Sequence, residues 1–441
     1  MPLRADESRI ECAAFQTQGP ACPGGVGKRA AFDPMNFLAF IRNNARWLAG
    51  GFLLTFFSSY GQTFFISLSS GHIRTEYGLS HGQFGTIYML ATLASAATLT
   101  YLGQIVDKRS PRAVTFIIVP ILAFACVLMA FSHHIVLLLL AIYLLRLFGQ
   151  GMMSQNAFTA IGRWFVAQRG RATSLTAIGV NAGEASFPLL FVLVAGALGW
   201  RNAWLAGAVT LLVVALPLIS WLVAKDRTPQ ASDPAAPVAA ARDWSRAEVL
   251  RDPLFYMAMA GVLAPGFIGT TVFFHQIYLV ELRGWSLEAF AASFAFMAAT
   301  VVVFSLVAGQ LVDRYSAKAM LPTFLIPLGL ACLVLGFVEG QWAAFVFMGL
   351  MGISYGFTNT VFGALWPEIY GVRYLGAIRA VTMALGVFAT ALGPGLTGYL
   401  IDAGVSFPAQ VVVMGIYCFA ACVMLVGVSR RLFARDLPAT A

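Results

Sequence analysis

Two charged residues stand inside apolar stretches of the sequence, where charge is rare. Arg146 lies in YLLRLFGQG and Glu184 lies in GVNAGEASFP. A charged side chain inside a lipid bilayer is costly, and residues of this kind usually have a function. Arg146 could bind an anionic solute while Glu184 takes up a proton. The alternative is a buried ion pair between Arg146 and Glu184 that fixes two helices against each other.

The sequence around these residues is too apolar for a protein surrounded by water. Of 441 residues, 59% are hydrophobic and 11% are charged, whereas soluble domains carry about 25% charged residues. The composition therefore predicts an all-α integral membrane protein. In such a protein the location of the basic residues behind the net charge of +9 indicates the orientation in the bilayer. We therefore expect no nucleic acid partner.

Twelve apolar runs are long enough to cross a bilayer, which takes about 20 residues per helix. They fall near 46–68, 83–105, 113–132, 136–160, 172–196, 203–224, 254–280, 287–311, 319–338, 342–363, 379–401 and 407–429. At about 1.5 Å per residue, Arg146 in the fourth run and Glu184 in the fifth come to similar depth near the midplane.

Basic residues predict the orientation of these runs. If the amino terminus is cytoplasmic, 24 of the 28 Lys and Arg residues fall in cytoplasmic segments. Lys and Arg are retained on the cytoplasmic side of membranes. Both termini are therefore expected in the cytoplasm, and the protein is expected as a multi-pass protein of the inner or plasma membrane.

The segment 225–253 has the Pro-, Ala- and charge-rich composition of a linker. It divides the twelve runs six and six. We expect a disordered cytoplasmic tail at 1–45, six-helix bundles at 46–224 and 254–430, a cytoplasmic linker between them and a cytoplasmic tail at 431–441. Met35 opens MNFLAFIRNNARW directly before the first run and is an alternative start.

The two bundles carry a repeated charged motif. GQIVDKRSPR begins at Gly103, and GQLVDRYSAK begins at Gly309, 206 residues later and in the same position between apolar runs. Parallel halves related by pseudo-symmetry are typical of one large class of secondary transporters, in which the ligand binds between the halves at mid-membrane.

The repeated motif resembles the signature loop of the major facilitator superfamily, and the resemblance covers about 46–430. In both copies a serine, Ser110 or Ser316, replaces the glycine of the family pattern. The residues that match are Gly103, Asp107, Lys108 and Arg112 in the first copy and Gly309, Asp313, Arg314 and Lys318 in the second. LGPGLTGYLID, GVRYLGAIRA and RWFVAQRGRATSLTAIGVNAG are also similar to the monocarboxylate porter and oxalate/formate antiporter group.

The resemblance implies that the motif is a cytoplasmic gate that fastens the outward-facing state. Gly103 and Gly309 would let neighbouring helices approach closely. Asp107 and Asp313 would meet a helix amino terminus or a basic residue of the next helix, with Arg112 and Lys318 as partners. The alternative is that these charges only hold short loops in the cytoplasm.

Further polar side chains in the runs are candidates for a central cavity, although each could instead join helices by hydrogen bonds. A histidine at position 275 is more often a hydrogen-bonded packing residue than a ligand. The candidates are Tyr60, Gln62, Asn156, Asn181, His275, Gln276, Tyr355 and Asn359.

The predicted function is secondary active transport of a small organic solute, most simply an organic monocarboxylate, by alternating access and with proton coupling open. The eighth and eleventh runs carry charge only at their ends, which disfavours a dianion held by two basic residues. The alternatives are a drug or metabolite exporter and a transporter-like sensor. The sequence has no Walker motif, no H-E-x-x-H and no paired catalytic acids, so we expect no enzyme, cofactor or metal, and a monomer.

Overall fold

The computed structural model describes residues 34–165, 169–227, 242–371 and 373–435, except for the side chains of 34–38, Asp107, Arg169 and Asp313. The regular elements within these ranges are all helices. The chain forms two compact units, Met1–Ala45 and Arg46–Ala441. The second unit contains both halves predicted from the sequence.

The first half contains eleven α-helices. They are α1 (Pro34–Phe57), α2 (Thr63–Ile66), α3 (Ser70–Tyr77), α4 (His81–Leu102), α5 (Ile105–Lys108), α6 (Pro111–Phe131), α7 (Ile135–Leu144), α8 (Ser154–Trp164), α9 (Arg169–Leu198), α10 (Trp200–Thr210) and α11 (Leu216–Leu222). Wider π-helical turns at Leu145–Met153 and Leu211–Ala215 join α7 to α8 and α10 to α11.

The described residues of the linker and the second half contain nine α-helices. They are α12 (Arg246–Val249), α13 (Pro253–Phe274), α14 (Gln276–Arg283), α15 (Leu287–Tyr315), α16 (Ala317–Met320), α17 (Ile326–Phe337), α18 (Trp342–Tyr370), α19 (Leu375–Asp402) and α20 (Phe407–Arg435).

Ten helices of the described residues are long and apolar enough to cross a membrane, and they coincide with ten of the twelve predicted runs. The first predicted run, 46–68, is divided between the end of α1 and the short helices that begin at Ser58. The ninth contains α17, which has only 12 residues. The prediction of a helical membrane protein is confirmed for these ten helices.

The amino-terminal boundary differs from the prediction. Helix α1 begins at Pro34, so the described residues 34–45, which the sequence analysis assigned to a disordered tail, are helical. Proline is favoured at the first position of a helix, and MNFLAFIRNNARW has no Gly or Pro to interrupt the helix after it. Residues 1–33 lie outside the described part.

The two halves repeat each other in local structure as well as in sequence. Gly78 and Gly284, 206 residues apart, both end a helix in the left-handed conformation (φ 62° and 63°). Two residues later, Ser80 and Ser286 cap the next helix by accepting a backbone N–H bond. We call the end of the bundle with the repeated motif the motif face, and the end with Gly78, Gly284 and Asp402 the opposite face.

At the motif face, Asp252 connects three elements of the second half. It caps α13 by accepting the Leu254 N–H at 3.0 Å and forms two 2.7 Å bonds with Arg435 of α20. The Tyr370 hydroxyl of α18 donates to it at 3.0 Å. Burial alone would raise the pKa of Asp252, but these donors outweigh burial and lower the pKa below its usual value.

We predict that Asp252→Asn lowers the free energy of unfolding by about 2 kcal/mol, the range for hydrogen bonds to charged groups. Because the carboxyl is more acidic when folded, its contribution is complete above the unfolded pKa of about 3.9 and is lost as pH falls through the lower folded value. Thermal unfolding in detergent at neutral and acid pH measures both effects.

The matched control is Glu339→Gln. Glu339 pairs with Arg283 at 3.4 Å, but its side chain is 88% exposed, so we expect a change within about 0.5 kcal/mol. Equal stability of Asp252→Asn and Glu339→Gln at pH 7 would contradict the role of Asp252.

Candidate functional site

Arg146 is buried in the wider helical turn Leu145–Met153, with 3% of its surface exposed. Its Nη1 donates to the Gly61 carbonyl at 3.2 Å and lies 3.4 Å from Thr63 Oγ1. The guanidinium carbon lies 5.5 Å from the centre of the Tyr88 ring. The Nε of Arg146 is buried and has no hydrogen-bond partner, so one donor of the guanidinium is unsatisfied.

The carbonyl that Arg146 contacts belongs to a break in the first predicted run. A 3₁₀ turn, Ser58–Gly61, is followed by Gln62 in an extended conformation (φ −83°, ψ 152°). Glycine is required at Gly61 because an added Cβ would lie 2.1 Å from the Leu145 carbonyl oxygen and 2.7 Å from Gly149 Cα. A Cβ on Gly149 would likewise lie 2.6 Å from Gly61 Cα. The two backbones therefore touch where Arg146 binds.

Glu184 lies on α9, next to a glycine that packs against the same break. Its neighbour Gly183 packs so closely that an added Cβ would lie 2.0 Å from Ser59 Oγ and 3.0 Å from the Phe56 carbonyl oxygen. Glu184 is half-buried. Arg146 therefore contacts the break directly, and the residue before Glu184 packs against it.

Among the described residues, the ion pairs do not include one between Arg146 and Glu184. The structure therefore does not contain the structural ion pair that the sequence analysis kept as an alternative. Two opposite charges lie near the same backbone break without neutralising each other directly.

Aromatic side chains cluster around Phe187, three residues after Glu184 on α9. Phe187, one turn further along α9, packs against Tyr60 at 4.9 Å, Phe56 at 5.0 Å and Phe65 at 5.8 Å between ring centres. Tyr60 is buried and is part of this cluster. Tyr60, a candidate for the central cavity, therefore contributes its ring to an aromatic wall around Phe187.

The second half contributes Tyr355. Its hydroxyl donates to the Pro265 carbonyl at 3.2 Å, and it interacts electrostatically with Glu184. Tyr355 is thus the predicted site residue that brings the second half towards Glu184.

The other predicted polar residues separate into two groups. Asn156 is buried and donates to the Pro111 carbonyl and to Thr115 Oγ1, both at 3.2 Å, so it joins α8 to α6. Gln62 and Asn181 are half-buried and Asn359 is exposed. Of these four, Gln62 directly follows Gly61, whose carbonyl accepts a hydrogen bond from Arg146.

His275 lies between α13 and α14, and Gln276 begins α14. Gln276 Nε2 donates to the Phe64 carbonyl at 2.7 Å and to Ser67 Oγ at 2.8 Å, which joins the two halves. Ser67 Oγ in turn donates to the Phe273 carbonyl at 2.6 Å. His275 Nε2 and Thr397 Oγ1 are 2.9 Å apart. Both residues therefore hold helices together towards the opposite face.

Asp402, which the sequence analysis did not select, closes the opposite face between the halves. Its carboxylate accepts from Ser80 Oγ (2.6 Å), the His81 N–H (3.1 Å) and the Gly82 N–H (2.8 Å). These groups form the amino terminus of α4, where the helix dipole favours an anion. The helices approach closely here, since a Cβ on Gly85 would lie 2.5 Å from the Pro394 carbonyl oxygen.

The two motif copies differ in packing. A Cβ on Gly103 would lie 2.6 Å from Gln155 Oε1, whereas a Cβ on Gly309 would meet nothing within 4 Å. The expected close approach therefore holds at Gly103 and is wrong at Gly309, because no neighbouring helix reaches the second glycine. The side chains of Asp107 and Asp313 lie outside the described residues.

The basic residues of the motif also differ between copies. Lys318 is buried and lies 3.9 Å from Glu368 of α18, within the second half. Arg112 is exposed over the Phe116 ring, and Arg314 is exposed over Tyr315. Lys108 is exposed as well. A gate function of the motif therefore stays a prediction.

We predict that Gly61→Ala destabilises the fold by about 1–3 kcal/mol, the usual cost of overpacking, because the new methyl group meets backbone atoms that cannot rotate away. Thermal unfolding of the purified protein measures the change. Gly196→Ala on α9 is the control, since its Cβ would meet nothing within 4 Å. Equal melting temperatures for the two variants would show that the break is not tightly packed.

We predict that Asp402→Ala opens the opposite face. An anion at a helix amino terminus contributes up to about 2 kcal/mol, so a thiol reagent should label Ser70→Cys roughly tenfold faster in the Asp402→Ala background. Ser70 is buried beside Arg74 and His81. Glu288→Gln, an exposed acid at the start of α15, is the control, and identical labelling rates in all backgrounds would exclude the Asp402 contact as a closure.

Comparison with known proteins places this architecture in a family. The sequence model of the Major Facilitator Superfamily matches residues 51–305 and 291–440. Two solved structures of a bacterial homolog of the human lysosomal transporter Spinster have the same fold. In its inward-facing unoccupied form the TM-score is 0.66 at 17% identity, over 90% of this chain and 99% of that one. The occupied form gives 0.65 at 16%, over 93% and 100%.

Curated relatives match over shorter stretches. "Probable sulfoacetate transporter SauU" of Cupriavidus necator is 30% identical over 166 residues, 37% of this chain and 38% of the relative. An "MFS-type efflux pump" of Mycolicibacterium smegmatis is 29% identical over 276 residues, 58% of this chain and 60% of the pump. The aligned part thus spans less than two thirds of either relative. Because the family model matches most of its length, the chain belongs to the major facilitator superfamily.

Proposed function

We propose that this protein is a secondary transporter that moves a small organic solute across a membrane by alternating access. The observation that carries the proposal is the pair of unneutralised charges, Arg146 and Glu184, beside the break at Gly61. Such residues are costly inside a membrane unless they serve a solute or ion pathway. A discontinuous helix at the middle of a transporter half is also where substrate sites are found.

The distribution of Lys and Arg supports a cytoplasmic motif face. In that orientation the first broken run and the run containing α17 complete twelve crossings, with bundles at 46–224 and 254–430 and both termini inside. Asp402 and Gln276 then close the external side. The cell membrane is the proposed location.

The proposed solute is an organic monocarboxylate or a similar small anion. Arg146 has a buried Nε without a partner, and no acid is paired with it among the described residues. Removing the counter-charge from a buried ion costs several kcal/mol, so an incoming anion would supply what the site lacks. The relative named as a sulfoacetate transporter supports an organic anion.

Glu184 is the proposed proton site. It lies three residues before Phe187 on α9, interacts electrostatically with Tyr355, and has no ion pair in the described part of the chain. A carboxyl group in such surroundings can exchange a proton with the cytoplasm while the solute occupies Arg146. Symport and antiport both follow from this arrangement, and the gradients set the direction.

An exporter of larger amphipathic compounds is the second candidate. Its specific support is the aromatic wall of Phe56, Tyr60 and Phe187 beside Glu184, because such rings bind apolar and cationic groups. The relative named as an efflux pump agrees with it. An exporter would depend on Glu184 and the rings more than on Arg146.

We predict that Arg146→Lys lowers counterflow of small carboxylates and sulfonates in proteoliposomes at least tenfold. Lysine keeps the charge but loses the planar set of donors that matches a carboxylate. Arg431→Lys, exposed near the end of α20, is the matched control. Full anion counterflow by Arg146→Lys, or no counterflow of any anion by the wild type, would favour the exporter.

We also predict that Glu184→Gln makes uptake independent of pH. In a wild-type proton symporter, uptake slows as the external pH rises, because the carboxyl is loaded with a proton less often. Glutamine cannot be loaded, so the slope disappears while exchange of solute continues. The control is Glu288→Gln, and an unchanged pH profile in Glu184→Gln would remove Glu184 from the proton pathway.

A further inference from the structure

A separate cavity of about 590 Å³ lies among α13, α19 and α20 of the second half. Its walls are apolar, formed for example by Leu263 of α13, Leu396 of α19 and Val413 of α20. All three helices are membrane-spanning candidates. None of the residues that line the cavity is Asp, Glu, Lys or Arg. We call this cavity the α20 groove.

The mouth of the α20 groove is made of exposed apolar side chains. Phe388, Leu396 and Val413 line it and keep about half or more of their surface uncovered. On helices that cross a membrane, such residues contact hydrocarbon, because water would disfavour this much exposed apolar surface. A molecule that enters the groove therefore comes from the bilayer.

One polar group in the groove lacks a partner. Gln410, near the start of α20, is 5% exposed, and its Nε2 donates to the Val405 carbonyl at 3.0 Å. Since a carbonyl can only accept, this bond fixes the amide with Oε1 on the other side, and Oε1 is buried without a partner. A buried acceptor left unsatisfied is unfavourable, so the groove lacks one hydrogen-bond donor.

The other polar groups of the groove already have partners. The Tyr417 hydroxyl donates to the Ala260 carbonyl at 2.9 Å. Thr397 Oγ1 donates to the Gly393 carbonyl at 2.7 Å and contacts His275. The requirement for a donor is thus confined to Gln410, at the end of the groove towards the opposite face.

We propose that the α20 groove binds a neutral single-chain lipid of the surrounding leaflet, with its hydroxyl head group donating to Gln410 Oε1 and its hydrocarbon chain between α13, α19 and α20. The absence of charged residues from the lining disfavours an ionic head group, which would be desolvated without a counter-charge. The site is distinct from the Arg146 and Glu184 pair, and its occupant is not the transported solute.

The test uses the full-length protein in nanodiscs with a monoacylglycerol that carries a diazirine in its acyl chain. A second probe is the same molecule with both hydroxyls methylated. After illumination, mass spectrometry of peptides reports where label is attached. We expect label on the groove segments of α13, α19 and α20, roughly tenfold stronger with the hydroxyl probe than with the ether, since the ether cannot donate.

Substitutions at the mouth and at Gln410 show where the hydrocarbon chain and the head group of the lipid bind. Val413→Trp fills the mouth and should reduce labelling about tenfold, whereas Val423→Trp, on the same helix outside the groove and 75% exposed, should not. Gln410→Leu should make the two probes label equally. Leu396→Trp provides a second blocking variant if Val413→Trp does not yield a monodisperse protein.

Even labelling of exposed helices, or unchanged labelling in both blocking variants, would overturn the proposal in favour of ordinary annular lipid. An undiminished preference for the hydroxyl probe in Gln410→Leu would overturn the head-group assignment. Because Glu184→Gln and Arg146→Lys do not alter the groove, both should label like the wild type whether or not the proposed transport function is correct.

Discussion

The contact between Gly61 and Gly149 is the constraint on which the site depends. Inside a membrane every backbone polar group needs a partner from the protein, and a helix break at Ser58–Gln62 frees such groups. The two glycines let the broken segment touch the wider turn Leu145–Met153, and this contact brings the Arg146 guanidinium to the Gly61 carbonyl. Arg146 therefore has two roles, because the residue proposed to bind solute also donates a hydrogen bond to a carbonyl that the break leaves free.

The opposite face shows how modest interactions close a large protein. Asp402 and Gln276 hold the halves together with a few hydrogen bonds, some to the backbone amides that begin α4. Each such bond contributes only about 0.5–3 kcal/mol, so the closed state is favoured by an amount that solute binding can offset. A carrier needs this balance, since a face sealed by an extensive apolar core would not reopen on each cycle.

The sequence predicted the family and the helical class, because apolar runs and a repeated motif can be recognised in the sequence alone. It did not predict the break at Gln62, since QTFF carries no proline or glycine after Gly61 to mark it. Asp402 was also missed. Its signal is present as SHGQ, a capping sequence before α4, but an acid 322 residues away is recognised as its partner only after folding.

In the proposed transport function, the pair of charges would couple the solute and the proton by charge balance. With Arg146 positive and Glu184 negative, the empty site has no net charge. An anion bound to Arg146 alone leaves one negative charge in a low-dielectric interior, where electrostatic energies are large. A proton on Glu184 restores neutrality, so anion and proton each favour the binding of the other without touching. By linkage, this mutual effect is the same in both directions, and it requires that the two charges stay apart, as they do beside the break at Gly61.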